Sequence, residues 1–139
     1  MRKFYRYEHI VGFEETNLVG NVYYANHIKW QGRCREMFLK DHAPAMLEEL
    51  EKGKLALVTL NCSCEYFGEL KAFDRVVLEM ELGKLNRNRL EMLFRYTLND
   101  KIIAKGKQEI ACMIRSEHGL EPSPFPDYMQ KALHEFEMP

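Results

Sequence analysis

From about residue 55 onward, apolar and polar side chains alternate in four successive runs, the period of a strand with one buried face. Val58, Leu60, Cys62, Cys64 and Tyr66 share one parity in the first run, with Thr59, Asn61, Ser63 and Glu65 on the opposite, polar face. Val76, Leu78, Met80 and Leu82 oppose Arg75, Glu79 and Glu81 in the second, and Leu90, Met92, Phe94, Tyr96 and Leu98 oppose Arg89, Glu91 and Arg95 in the third. The fourth carries Ile102, Ala104, Ile110, Cys112 and Ile114, and Glu117-His118-Gly119 ends it. Asn86-Arg87-Asn88 and Asn99-Asp100 interrupt these runs with residues that tolerate left-handed backbone, so tight antiparallel hairpins are predicted there. Phe4 to Phe13 supplies a fifth, less regular strand.

Residues 22 to 40 lack alternation. Tyr24, Ile28, Gln31, Arg35 and Phe38 recur at helical spacing, and Tyr23, His27, Trp30, Cys34 and Met37 run beside them, giving the broad apolar stripe of a long helix held by a curved sheet. A short second helix is expected over Pro44 to Lys52, stopped by Gly53, and a terminal one over Asp127 to Phe136. The pattern predicts an α+β fold in which five antiparallel strands wrap one long helix. Such a sheet leaves edges that call for a partner surface, and self-association is the simplest answer.

A chain of 139 residues, 46% hydrophobic and 29% charged, fits one domain spanning 1–139. A net charge of -1 with scattered Lys and Arg argues against nucleic-acid binding. The N-terminus has no apolar run after its charges, so neither a secretory signal nor a membrane anchor is expected, and the expected location is cytoplasmic. In that setting Cys34, Cys62, Cys64 and Cys112 read as reduced thiols. Cys62-Ser63-Cys64 lacks a second Cys/His pair at zinc spacing, so no metal and no cofactor is expected.

The most informative segment is Thr16-Asn17-Leu18-Val19-Gly20-Asn21-Val22-Tyr23-Tyr24, leading into the helix that carries Trp30-Gln31-Gly32 and Arg35-Glu36. Asn17 can donate to a carbonyl, Gly20 lets backbone approach a ligand, and the helix start offers free N–H groups to the same space, an arrangement suited to an oxyanion. The segment resembles the active-site loop and central helix of the hotdog-fold thioesterases of the 4-hydroxybenzoyl-CoA thioesterase type, closest to the branch serving enediyne polyketide synthases. In that alignment Asn17 stands where the wider family has its catalytic Asp, Asn21 at a His, Gly32 at a Glu and Cys34 at an Ala.

The resemblance implies a hotdog fold, dimers with a continuous sheet, pairs of dimers, and an active site at the subunit interface. It implies Asn17 and Arg35 as catalytic residues, and Gly20, Asn21, Tyr24 and Thr59 as substrate-binding ones. Each has a plainer reading. Asn17 can be a turn-former, Arg35 a surface cation near a helix C-terminus, and Thr59 a strand residue on the polar face. His27 reads as a packed or partly exposed histidine rather than a base, and Glu65 and Asp74 as solvated carboxylates. Eleven helical residues from Tyr24 to Arg35 span about 16 Å, so Asn17 and Arg35 act on different parts of a substrate or meet across an interface.

No nucleophile elbow, His-Glu-x-x-His helix or phosphate loop is present. Hydrolysis without a protein nucleophile is what remains, and the resemblance implies as substrate a polyene, β-keto or β-hydroxy acyl thioester on the acyl carrier protein of an iterative enediyne-type polyketide synthase. The hydrolysis proceeds without a catalytic carboxylate, and decarboxylation can follow. The alternatives are a general acyl-CoA thioesterase using Glu65 or another sheet carboxylate as base and a non-catalytic acyl-chain-binding protein.

Overall fold

The structure, a computed structural model, describes residues 3–137. In chain order it contains β1 (Tyr5–Ile10), a 3-10 turn (Phe13–Glu15), α1 (Ala25–His42), α2 (Pro44–Glu51), β2 (Leu55–Tyr66), β3 (Arg75–Asn86), β4 (Arg89–Leu98), β5 (Lys101–Ser116), β6 (Gly119–Pro122) and α3 (Asp127–His134). Five strands form an antiparallel sheet in the order β1-β3-β4-β5-β2, and the short β6 adds to β5. The four alternating runs and the weaker N-terminal one are these five strands. The sixth was not expected: Gly119, at φ 106°, turns the chain back after Ser116 so that residues 119–122 pair with 113–116.

Alternation buries what it should in β3 and β4. Val76, Leu78, Met80, Leu82, Leu90, Met92, Phe94 and Tyr96 are all at most 1% exposed, and they face Trp30, Cys34 and Phe38 of α1. Tyr5, Phe38 and Phe136 meet edge to face, with centroids 5.4 to 6.1 Å apart, tying β1 and the chain end to the helix. Asn99 and Asp100 both adopt positive φ, as a two-residue hairpin requires, and Arg87 does so in the β3–β4 turn. The long helix starts at Ala25, three residues later than the pattern suggests, because Asn21 and Val22 are held in bridges to Lys71 and Thr16.

The first run does not keep its parity. Thr59 pairs with Ile110 and Asn61 with Glu109, so Leu60 is an extra residue, a β-bulge. A one-residue insertion exchanges faces. The buried side of β5 carries Ile110 and Gln108, and the residues of β2 that share it are Leu55, Leu57 and Thr59 before the bulge and Cys62, Cys64 and Tyr66 after it. Thr59 therefore lies on the inner face and not on the polar one, whereas Leu60 points outward at 42% exposure.

Two contacts fix α1 in this sheet. Gln31, fully buried, donates from Nε2 to the Ser63 carbonyl at 2.9 Å. It reaches that carbonyl because residue 106 is glycine: a Cβ there would collide with Gln31 Nε2 and crowd Ser63 O and the Tyr96 ring. At the other contact, Glu15 accepts from Gly12 N–H (2.9 Å) and Trp30 Nε1 (2.7 Å) and pairs with His9 Nε2 (2.8 Å), joining β1, the turn and the helix through one carboxylate. Burial alone would raise its pKa, but these donors outweigh burial and hold it below the usual carboxylate range.

Gly106→Ala is expected to lower unfolding free energy by about 1–3 kcal/mol, as overpacking does, read from denaturant midpoints. Glu15→Gln should destabilise at neutral pH by roughly 1–3 kcal/mol, because buried donors lose a charged acceptor. With a folded pKa below the unfolded one, Glu15 stabilises above the unfolded value, and that contribution is lost as pH falls through the folded value. The gap between wild type and variant should accordingly close in acid, as followed by thermal melts across pH.

Candidate active site

The loop between the 3-10 turn and α1 is closed by its own backbone. Asn17 N–H donates to Asn21 O (2.8 Å) and Gly20 N–H to Asn17 O (3.0 Å), while Asn17 Oδ1 accepts from Val19 N–H at 3.0 Å. Gly20 sits at φ 91°, a conformation glycine adopts without strain. Asn17 thus does shape the turn, and its Nδ2 has no partner among the described residues. The loop stands out from the protomer, with Asn17 and Gly20 exposed and Leu18 and Val19 at 106% and 83% exposure.

At the base of this loop α1 begins with no side-chain cap and no acidic residue in its first turn. Tyr23 N–H donates to Glu15 O and Asn26 N–H to Tyr23 O, but the Tyr24 N–H has no partner among the described residues. An uncapped helix start is a site for developing negative charge. It opens on a cleft of about 180 Å³ lined by Asn21, Tyr24, His27, Tyr66 and Glu69. Asn21 Nδ2 donates to Glu69 Oε1 at 3.4 Å, and its buried Oδ1 has no partner among the described residues. Tyr24 presents an exposed ring stacked on Tyr23, centroids 4.6 Å apart, and its carbonyl accepts from Tyr66 OH at 2.7 Å.

Arg35 lies elsewhere in the interface between helix and sheet. Its Nη1 donates to Gln108 Oε1 at 2.8 Å and to Thr59 Oγ1 at 3.4 Å. The bulge at Leu60 brings Thr59 to this position, so two residues singled out in the sequence meet. Gln108 was not singled out, although its even number places it among Ala104, Ile110 and Cys112 as a polar break in an apolar row. Burial pulls the Arg35 pKa below its ordinary value and the nearby Glu36 charge opposes this, but Glu36 hydrogen-bonds Arg33 instead, at 2.5 Å. Arg35 is therefore a half-buried cation whose hydrogen-bond acceptors are both neutral. The surface-cation reading does not survive. Among the described residues no hydrogen bond joins Arg35 to Asn17.

The remaining candidates separate clearly. Glu65 is exposed on the face of β2 opposite α1, and Asp74 caps the Lys71 N–H in a turn at 2.9 Å. Glu69 is the carboxylate that does reach the cleft, and its place between strands left no sequence signal. All four cysteines are free; burial pushes the Cys34 thiol up to about 12 and Cys112 to about 11, so neither is a thiolate at neutral pH. Among the described residues, no group of three His, Cys, Asp or Glu side chains could hold a metal ion, and no helix is long and apolar enough to cross a membrane.

Residues 11–133 match the thioesterase-like superfamily. Among solved structures, the dynemicin thioesterase, whose crystal structures reveal induced-fit and allosteric effects upon polyene binding, superposes with a TM-score of 0.95 at 42% identity, covering 99% of each chain. A 1,4-dihydroxy-2-naphthoyl-CoA thioesterase from Synechocystis shares the fold, with a TM-score of 0.86 at 18% identity over 98% of this chain and 99% of that one. The acyl-CoA thioesterase YbgC of Haemophilus influenzae is 24% identical over 89% of this chain and 90% of its own length. With one antiparallel sheet wrapped on a long helix and a match across nearly its whole length, the chain belongs to the thioesterase-like superfamily and is a hotdog-fold thioester hydrolase.

Proposed function

We propose that the chain releases a polyketide acyl chain from an acyl carrier protein by hydrolysing its thioester, in an oligomer of this chain. The observation that carries the reading is Arg35, a cation held between helix and sheet by neutral Thr59 and Gln108 and paired with no carboxylate there. Such a cation suits an oxygen at the β position of the acyl chain or a developing carboxylate. The polyene bound by the dynemicin thioesterase supports an unsaturated chain as substrate.

The thioester carbonyl is polarised by the Asn17 amide and the Tyr24 N–H, and water attacks it directly. An amide neither attacks nor takes a proton at neutral pH, so Asn17 positions and polarises only. A thiol leaves more readily than an alkoxide, which lowers what the protein must supply. A released β-keto acid loses CO₂ through a cyclic hydrogen-bonded transition state, and Arg35 orients its carboxylate. Leu18, Val19 and the exposed loop around Asn17 are what a second copy would cover, and β2 ends the sheet with an unpaired edge on which a continuous sheet can form. Among the alternatives, a general acyl-CoA thioesterase with Glu65 as base is weakened by the outward placement of Glu65.

With carrier protein loaded by a polyketide synthase, Asn17→Ala is expected to slow thiol release by about 10²- to 10³-fold, the cost of one oxyanion donor. Arg35→Ala should slow it as well, with a smaller loss on substrates lacking a β-oxygen. Release at wild-type rate in both folded variants rejects the site. Retention of the acyl chain with no thiol released by the wild type upholds the non-catalytic binder instead.

A further inference from the structure

We propose that His27 is a catalytic residue: its imidazole takes the proton of the water that attacks the thioester. The inference rests on the hydrolytic reading above and supplies the proton acceptor that reading lacks.

His27 is 4% exposed, yet neither Nδ1 nor Nε2 has a hydrogen-bond partner among the described residues. A buried polar side chain unsatisfied at both nitrogens is uncommon and calls for an explanation. The neighbours that could satisfy it are engaged elsewhere. Trp30, with its ring centroid at 5.1 Å, donates to Glu15; Tyr66, edge-on at 4.8 Å, donates to Tyr24 O; and Tyr96, at 5.6 Å, donates to the His27 backbone carbonyl at 2.6 Å. Three aromatic rings hold the imidazole in place, the Tyr24 backbone carbonyl is near enough to pull on it without making a hydrogen bond of good geometry, and the side chain lines the cleft at the start of α1.

The same cleft holds the second orphan, Asn21 Oδ1. Two acceptors, one amide oxygen and one imidazole lone pair, suit the two protons of a water and leave its oxygen lone pairs for attack. The Tyr24 N–H lies one helical turn away, about 5 Å along the axis, where an oxyanion would be met.

The imidazole is neutral when it must act. Burial disfavours its charged form and lowers its pKa below the ordinary 6.5, against a weaker opposing pull from the Tyr24 carbonyl. The titratable groups facing it are Tyr24 from the loop, Cys64 and Tyr66 from β2, Tyr96 from β4 and, across the cleft, Glu69. Burial raises the Tyr66 hydroxyl to about 12 and also raises those of Cys64 and Tyr96, so these three are uncharged through the working range.

Water oxygen forms a bond to the carbonyl carbon, the carbonyl π pair moves to oxygen, and the departing water proton passes to His27. Collapse of the tetrahedral adduct breaks the carbon–sulfur bond. The thiolate takes the proton from the imidazolium, leaving carboxylic acid, thiol and neutral His27.

The test is the pH profile of kcat/KM from pH 5 to 9, using acyl carrier protein loaded with a β-keto acyl chain and a medium-chain acyl-CoA as a second thioester. The wild type should fall tenfold per pH unit below an inflection under 6.5, and that inflection should coincide with titration of the His27 ring followed by NMR in the same protein. His27→Gln should be slower by a hundredfold or more, about the worth of a general base, and should lose the inflection. A flat wild-type profile, a kinetic inflection that departs from the His27 titration, or a folded His27→Gln near wild-type rate overturns the proposal; the first two do not depend on the variant folding. Wild-type protein that cleaves neither thioester defeats the hydrolytic reading itself, whereas cleavage with an unchanged profile in His27→Gln defeats only the role of His27.

Discussion

Burial of polar side chains along one stripe of α1 is the constraint from which the site follows. His27, Gln31 and Arg35 stand four residues apart, so they share a helical face, and that face is pressed against a sheet. Each must be satisfied by the strand opposite or lose more than a neutral hydrogen bond returns. Gln31 is anchored to Ser63 O through the gap left at Gly106, and Arg35 by Thr59 and Gln108. His27 is held by aromatic rings instead, with no well-formed hydrogen bond to its nitrogens among the described residues. The stripe therefore runs from a fixed anchor toward two ends of different chemistry, a basic lone pair at the helix start and a permanent cation farther along.

In the proposed site, opposite ends of the stripe take the two chemical tasks: donors at the uncapped helix start would polarise the thioester, and the guanidinium would hold a negative or electron-rich oxygen. Among the described residues no hydrogen bond joins Asn17 to Arg35, and the apolar tip beside Asn17 is exposed. Under the proposed function, a substrate long enough to touch both ends is what this spacing would select.

Much of the fold was legible because the alternation is strong. In β3 and β4 the even residues from Val76 to Leu82 and from Leu90 to Tyr96 are buried, and turn residues with left-handed backbone mark the hairpins. Asn17 and Arg35 are candidates because of the motif, not because of spacing: composition alone leaves Asn17 a turn residue and Arg35 a surface cation. Three things were hidden. Leu60 looks like any apolar strand residue, and nothing local shows that it is the inserted one that brings Thr59 inward. Gln108 broke an apolar row and passed unnoticed. Glu15 carries no mark in the sequence, because its importance comes from His9 on the strand before it and Trp30 on the helix after it.

The bulge in β2 carries a consequence for how this wall can vary. On a regular strand, a change of face for one position drags every later side chain with it. Here the strand is divided into two short segments whose phases are set independently, Leu55 to Thr59 against the far end of α1 and Cys62 to Tyr66 against its start. Lengthening or shortening one segment by a residue need not scramble the other, because the kink absorbs the slip. The surroundings of Arg35 and the cleft at the helix start can thus drift separately in sequence while the scaffold stays the same.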